Sequence, residues 1–191
     1  MRSLPCRDAR GFTLLEAIFV AGVACVLAAV AVPQLLAPID RARGLSAARY
    51  LATRMALARA QAVSRSAAIA LRFESSARGI TFSLYQDGNA NGVLTRDIQS
   101  QTDRIIDGPV LLADGFPGAE IGLLPGVPAT EPVQLGGGSI MSFTPSGTAS
   151  SGSIYIRGKD GTQWVVRVLG VTARARVLRY VWSSGQWVPA S

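Results

Sequence analysis

The chain has 191 residues, 49% of them hydrophobic, with 19 cations, 12 anions and no histidine, for a formal net charge of +7. That length fits one modest domain plus an appendage. The missing histidine removes the commonest general base and metal ligand; with no nucleophile elbow, phosphate-binding glycine loop or Cys/His cluster, neither an enzyme nor a cofactor is expected.

The first eleven residues are polar and basic, with Arg2, Arg7, Asp8 and Arg10. An apolar run, Phe12 to Val32, follows, and Glu16 is its only charge. About 20 apolar residues cover the ~30 Å hydrocarbon core of a bilayer, so the run is long enough to span one. It is too long for a signal-peptide core, and no A-x-A cleavage site follows it. The arginines before the run favour a cytoplasmic N-terminus. Cys6 lies in the leader and Cys25 in the run, so neither a disulfide nor a zinc site is expected in the globular part. A lone carboxylate in hydrocarbon costs roughly 2.5–3.5 kcal/mol on insertion scales. Glu16 is therefore a candidate functional residue, or an interfacial acid favoured by the helix dipole.

Pro33 and Pro38 close the run and, with Gly44, mark expected bends. Asp40 to Ser66 is rich in Ala, Leu, Met and Arg, which are good helix formers. Leu51, Met55, Ala58 and Ala62 fall on one stripe. Arg43, Arg54 and Arg65 recur at an eleven-residue step and form either an anion-binding ridge or, as we expect, a solvated face. Beyond Ser66 the pattern turns to short β-rich runs separated by Gly, Pro, Asn, Asp and Ser. The runs are 67–73, 80–86, 104–111, 119–124, 139–143, 152–157, 162–169, 175–182 and 186–188, the last two joined by a Ser184-Gly185 turn. Residues 124–139 are Pro/Gly-rich and read as a loop. The expected fold is α+β: a long N-terminal helix, membrane-spanning in its first half and amphipathic in its second, packed on an antiparallel β domain. The expected segments are 1–11, 12–36, 37–66 and 67–191.

Two later clusters carry polar chemistry. In Tyr85 to Val93 (YQDGNANGV), Asp87, Asn89 and Asn91 alternate ahead of Gly92, as at the start of an EF-hand loop. The twelfth position, which should be a bidentate Glu, is Ile98, and Asp97 lies one place early. A hairpin turn is the expected reading, with no metal. Near the C-terminus, Arg174 and Arg176 alternate and share a face in a strand, while Arg179 faces the other way. Such guanidinium groups can bind phosphate without reading sequence. Trp164, Trp182 and Trp187 are expected as packing groups, with base stacking as the alternative.

Gly11-Phe12-Thr13-Leu14-Leu15-Glu16 resembles the processing site of type IV prepilins and pseudopilins, together with the basic leader, the apolar span and the proline at its end. The resemblance implies cleavage between Gly11 and Phe12 by a prepilin peptidase, and N-methylation of Phe12. It also implies that Glu16 pairs with the amino terminus of a neighbouring subunit during assembly. The overall layout, YQDGNANGV, and the stretch from Phe143-Thr144-Pro145-Ser146-Gly147 to the closing RARVLRY resemble the GspH/FimT branch. The implied function is a structural minor pilin or pseudopilin in a type IV pilus or type II secretion pseudopilus. Its partners would be the peptidase, other pilins and inner-membrane lipid; its β domain would be periplasmic. The alternative is a DNA-binding minor pilin: Ala173-Arg174-Ala175-Arg176 resembles a Gly-Arg-x-Arg motif of some FimT-type pilins, with Arg179 nearby, although the glycine is absent.

Overall fold

The structure, a computed structural model, describes residues 13–136 and 138–190; the side chains at 30 and 32–37 lie outside it. Gly11 and Phe12 therefore fall outside the described residues. Contacts divide the chain into two units, 1–38 and 39–191. Helix α1 (Leu14–Arg65) runs without interruption, so Pro33 and Pro38 do not end it.

In the first unit, Thr13 caps α1: the Glu16 N–H donates to its Oγ1 at 3.2 Å. Thr-x-x-Glu is the capping-box spacing, which satisfies one of the free N–H groups of the first turn. Leu14, Leu15, Ile18, Phe19, Val26 and Leu27 are all exposed. Among the described residues no helix is long and apolar enough to cross a membrane.

The second unit buries the expected stripe. Leu51, Met55, Ala58 and Ala62 are fully buried, and Ala47 and Ala48 extend the stripe by a turn. Alanines dominate this face, so the helix can approach closely and leave the larger volumes to the strands. Four strands form one antiparallel sheet in the order β3-β2-β1-β6: β1 (Ile69–Ser76), β2 (Gly79–Gln86), β3 (Arg104–Leu111) and β6 (Ile140–Phe143). The second sheet runs β10-β9-β8-β7-β4: β4 (Ala119–Ile121), β7 (Gly152–Gly158), β8 (Gln163–Leu169), β9 (Arg174–Val181) and β10 (Gln186–Pro189). β5 (Val133–Leu135) also pairs with β7, antiparallel like the rest. Leu71, Phe73 and Phe82 of the first sheet and Ile156, Trp164 and Val166 of the second join the α1 stripe in a single core. The antiparallel α+β fold expected from the sequence is thus present. The differences are local: helices α2 (Thr95–Gln99) and α3 (Leu112–Gly115) and strand β5 appear where turns or loop were expected, and the expected strand 119–124 shortens to Ala119–Ile121.

The second sheet is partly buried on both faces. Tyr155 and Val165 project away from α1 and are covered by Val127 and Leu124, with Leu178, Tyr180 and Trp187 around them. This is why Gln163-Trp164-Val165-Val166 shows no polar alternation. The covering segment is tied down by Gln163, which is fully buried. Its Oε1 accepts from the Leu124 N–H at 2.8 Å, and its Nε2 donates to the carbonyls of Gly122 and Ile156 at 3.1 and 3.0 Å.

Candidate functional site

The N-terminal candidate is Glu16 in the first turn of α1. There its carboxylate sits at the positive end of the helix dipole. The sequence reading missed Thr13, although the capping pattern was there to find. Beside Glu16 the helix presents large apolar side chains; Leu15 is 80% and Phe19 72% exposed. Contiguous exposed apolar surface of this kind marks a site of protein–protein or membrane interaction.

Arg43 and Arg65 are exposed, as expected of a solvated face, whereas Arg54 is half-buried. Arg43 pairs with Asp40 at 3.1 Å. Arg54, mostly covered, forms an ion pair with Asp107 of β3. Arg65 Nη1 donates to Gln86 Oε1 of β2 at 2.8 Å. Arg54 and Arg65 therefore act as clamps between α1 and the first sheet.

The loop after β2 is built around three buried aspartates, Asp87, Asp97 and Asp103. Asp87 Oδ1 accepts from the N–H groups of Asn89 and Ala90 at 3.0 and 2.9 Å, and its Oδ2 from Gly92 at 2.7 Å. Asp103 accepts from Gly88 and Leu94 N–H at 3.1 and 3.0 Å. Asp97 accepts from the Asn91 amide at 2.9 Å and the Asn89 amide at 3.4 Å. The Asn91 bond, against the cost of burial and with help from Asn89 and Arg96, holds the Asp97 carboxyl below its ordinary value. Gly88 leaves no room for a side chain, since a Cβ would lie 2.0 Å from the Thr102 carbonyl oxygen. The carboxylates thus serve as acceptors for the loop's own N–H groups. Among the described residues no group of three or more His, Cys, Asp or Glu is placed to hold a metal ion. Asp103 was missed from the sequence because its partners lie 9 and 15 residues away.

At the C-terminal end the register between β8 and β9 is unbroken and sets Arg176 opposite Arg167 and Arg174 opposite Leu169. Arg174, Arg176 and Arg167 are exposed on the sheet face turned away from α1, whereas Arg179 lies opposite buried Trp164 on the inner face. The structure so brings Arg174 and Arg176 together and separates Arg179 from them. Ala173, which stands at the glycine position of the motif, adopts φ +49. That left-handed conformation is the one glycine favours. Trp164 is a core residue, while Trp182 packs edge-on against Tyr180 with ring centroids 4.9 Å apart, and Trp187 packs on Tyr180 at 5.0 Å.

Comparison with known proteins adds two findings. Residues 47–172 match the family described as type II transport protein GspH. Among solved structures, the chain is similar to the minor pseudopilin EpsH from the type 2 secretion system of Vibrio cholerae. Identity is 15%, the TM-score 0.46, and the likeness covers 72% of this chain and 97% of that one. No curated protein matches the chain. Neither finding supports the DNA-binding alternative.

Proposed function

The chain belongs to the GspH family of type II transport proteins, and from that premise we propose how its parts serve a pseudopilin subunit. The family match carries the reading. It spans residues 47–172, from the buried stripe of α1 through β8, and so takes in the α-on-β core. The protein is a structural minor pseudopilin of type II secretion that assembles with other pseudopilins.

In the finer reading, a prepilin peptidase removes Met1–Gly11 and Phe12 becomes the methylated first residue. The apolar part of α1 then holds the subunit in the inner membrane as a single span, with residues 39–191 on the periplasmic side. During assembly the same apolar surface passes from lipid to neighbouring helices. Glu16 sets the register of that transfer. Its carboxylate is expensive in an apolar medium unless a cation lies beside it, and the amine of a neighbouring Phe12 supplies one. A subunit displaced along the helix axis leaves both charges unpaired. The exposed apolar side chains beside Glu16 and the basic leader support this reading. Intact-mass analysis of the protein from cells with a prepilin peptidase tests it. The expected mass is that of a chain starting at N-methylated Phe12. A mature protein that retains Met1–Gly11 would refute the processing step.

A further inference from the structure

The outer face of the second sheet is divided in two. One half, Tyr155, Val165, Leu178 and Tyr180, lies under the chain's own 122–130 segment and Trp187. The other half carries Ser153, Arg167, Leu169, Arg174 and Arg176 and lies open around a shallow cavity of about 440 Å³. Arg174 also borders a cleft of about 530 Å³ that reaches Arg49 and Arg59.

Three features of the open half point to a missing partner. Like charges directly opposite across a strand pair destabilise a sheet, yet Arg167 and Arg176 occupy such positions and Arg174 is two residues along. Among the described residues, the side chains of Arg174 and Arg176 have no ion-pair or hydrogen-bond partner, and that of Arg167 has only a 3.4 Å contact to Ser153 Oγ. Leu169 is 60% and Val171 81% exposed beside them. A surface that binds only phosphate needs no apolar shoulder. Arginine is enriched at protein interfaces relative to the rest of the surface.

We propose that the open half of this sheet face, with Arg167, Arg174 and Arg176 around Leu169, docks an acidic segment of a different protein that carries at least one aliphatic side chain. A second copy of this chain fits poorly. Its Asp40, Glu74, Asp107, Asp114, Glu120 and Asp160 already face arginines of their own, and Asp87, Asp97 and Asp103 are engaged inside their loop, which among the described residues leaves exposed Glu131 as the one acid its β domain could offer to three arginines. The surface is independent of leader processing and of Glu16.

Fluorescence anisotropy of the full chain in a non-ionic detergent tests the proposal. The probe is a labelled synthetic peptide of alternating Glu and Leu; an all-Glu peptide and duplex DNA of matched charge are the comparisons. The Glu/Leu peptide should bind most tightly of the three. Arg174→Gln with Arg176→Gln should weaken it about tenfold, since two charge-assisted contacts are lost. The melting temperature should not fall, because like-charge repulsion is also relieved. If that variant does not fold, Leu169→Ser provides the readout, with a loss of about threefold. The proposal is overturned if the Glu/Leu peptide does not bind. It is equally overturned if DNA binds more tightly, or if the folded variants bind the peptide as well as the parent does.

Discussion

Two stretches of the same helix are built from similar residues and meet opposite fates. Before Pro38, α1 exposes Leu14, Leu15, Ile18, Phe19 and Leu27; after it, Leu51 and Met55 are fully buried. The later stretch is striped, with arginines on its flanks. Between Leu14 and Ala29 the earlier one is apolar on every face apart from Glu16, and a helix of that kind needs an apolar environment around it. The later stretch finds its burial partner within its own chain. The earlier one needs a bilayer or other subunits, and an assembly subunit with a self-contained domain is organised in this way.

Substitutions can break that comparison. Leu51→Ala should cost about 2–5 kcal/mol of domain stability through transfer loss and a residual cavity. Leu27→Ala should leave the domain's melting temperature unchanged. Thermal unfolding of the full chain in detergent, followed by tryptophan fluorescence, reads both. Comparable losses at the two positions would end the distinction. Next in size is Arg54→Ala. It strands Asp107 and empties a mostly covered site, at about 1–3 kcal/mol. Arg78→Ala, whose ion pair with Asp114 is exposed on both sides, should change stability by less than about 0.5 kcal/mol.

The acidic limb of the stability curve sharpens the account of the loop after β2. The folded pKa of Asp97 is lowered. Its contribution is therefore fully present above the unfolded value of about 3.9, and is lost as pH falls through the lower folded value. Asp97→Asn should flatten that part of the stability–pH curve below about pH 4 and leave its shape at neutral pH unaltered, which chemical denaturation at stepped pH would reveal. Opposing terms meet at Ala173. Glycine there relieves a left-handed strain of roughly 1–2 kcal/mol. It also gives up a buried methyl worth about 0.8 kcal/mol and gains unfolded-state freedom worth about 0.5–1 kcal/mol. These nearly cancel, so Ala173→Gly should shift denaturant stability by less than about 1 kcal/mol in either direction.

Legibility in the sequence followed the strength of local periodicity. Leu51, Met55, Ala58 and Ala62 were readable because a helical stripe repeats over many turns. The β runs were readable from β-branched and aromatic clusters between turn residues. α2 and α3 are too short to show a period. The cover formed by Leu124 and Val127 was hidden in a Pro/Gly-rich stretch that reads as loop, and what fixes it, buried Gln163, lies on another strand. Arg54 looked like any helix-surface arginine, because nothing local reveals that Asp107 lies opposite. At the C-terminus, strand parity alone separated Arg179 from Arg174 and Arg176. The facing Arg167 required the register of β8 against β9.

In the proposed function the exposed apolar part of α1 is the assembly surface and Glu16 its register device. Site-specific photocrosslinking from position 23, in cells carrying a complete secretion machine, tests it most directly. Adducts with other pseudopilins are expected in the parent protein. They should be lost in Glu16→Ala, while membrane recovery and leader cleavage persist. Adducts of unchanged yield in Glu16→Ala would contradict it.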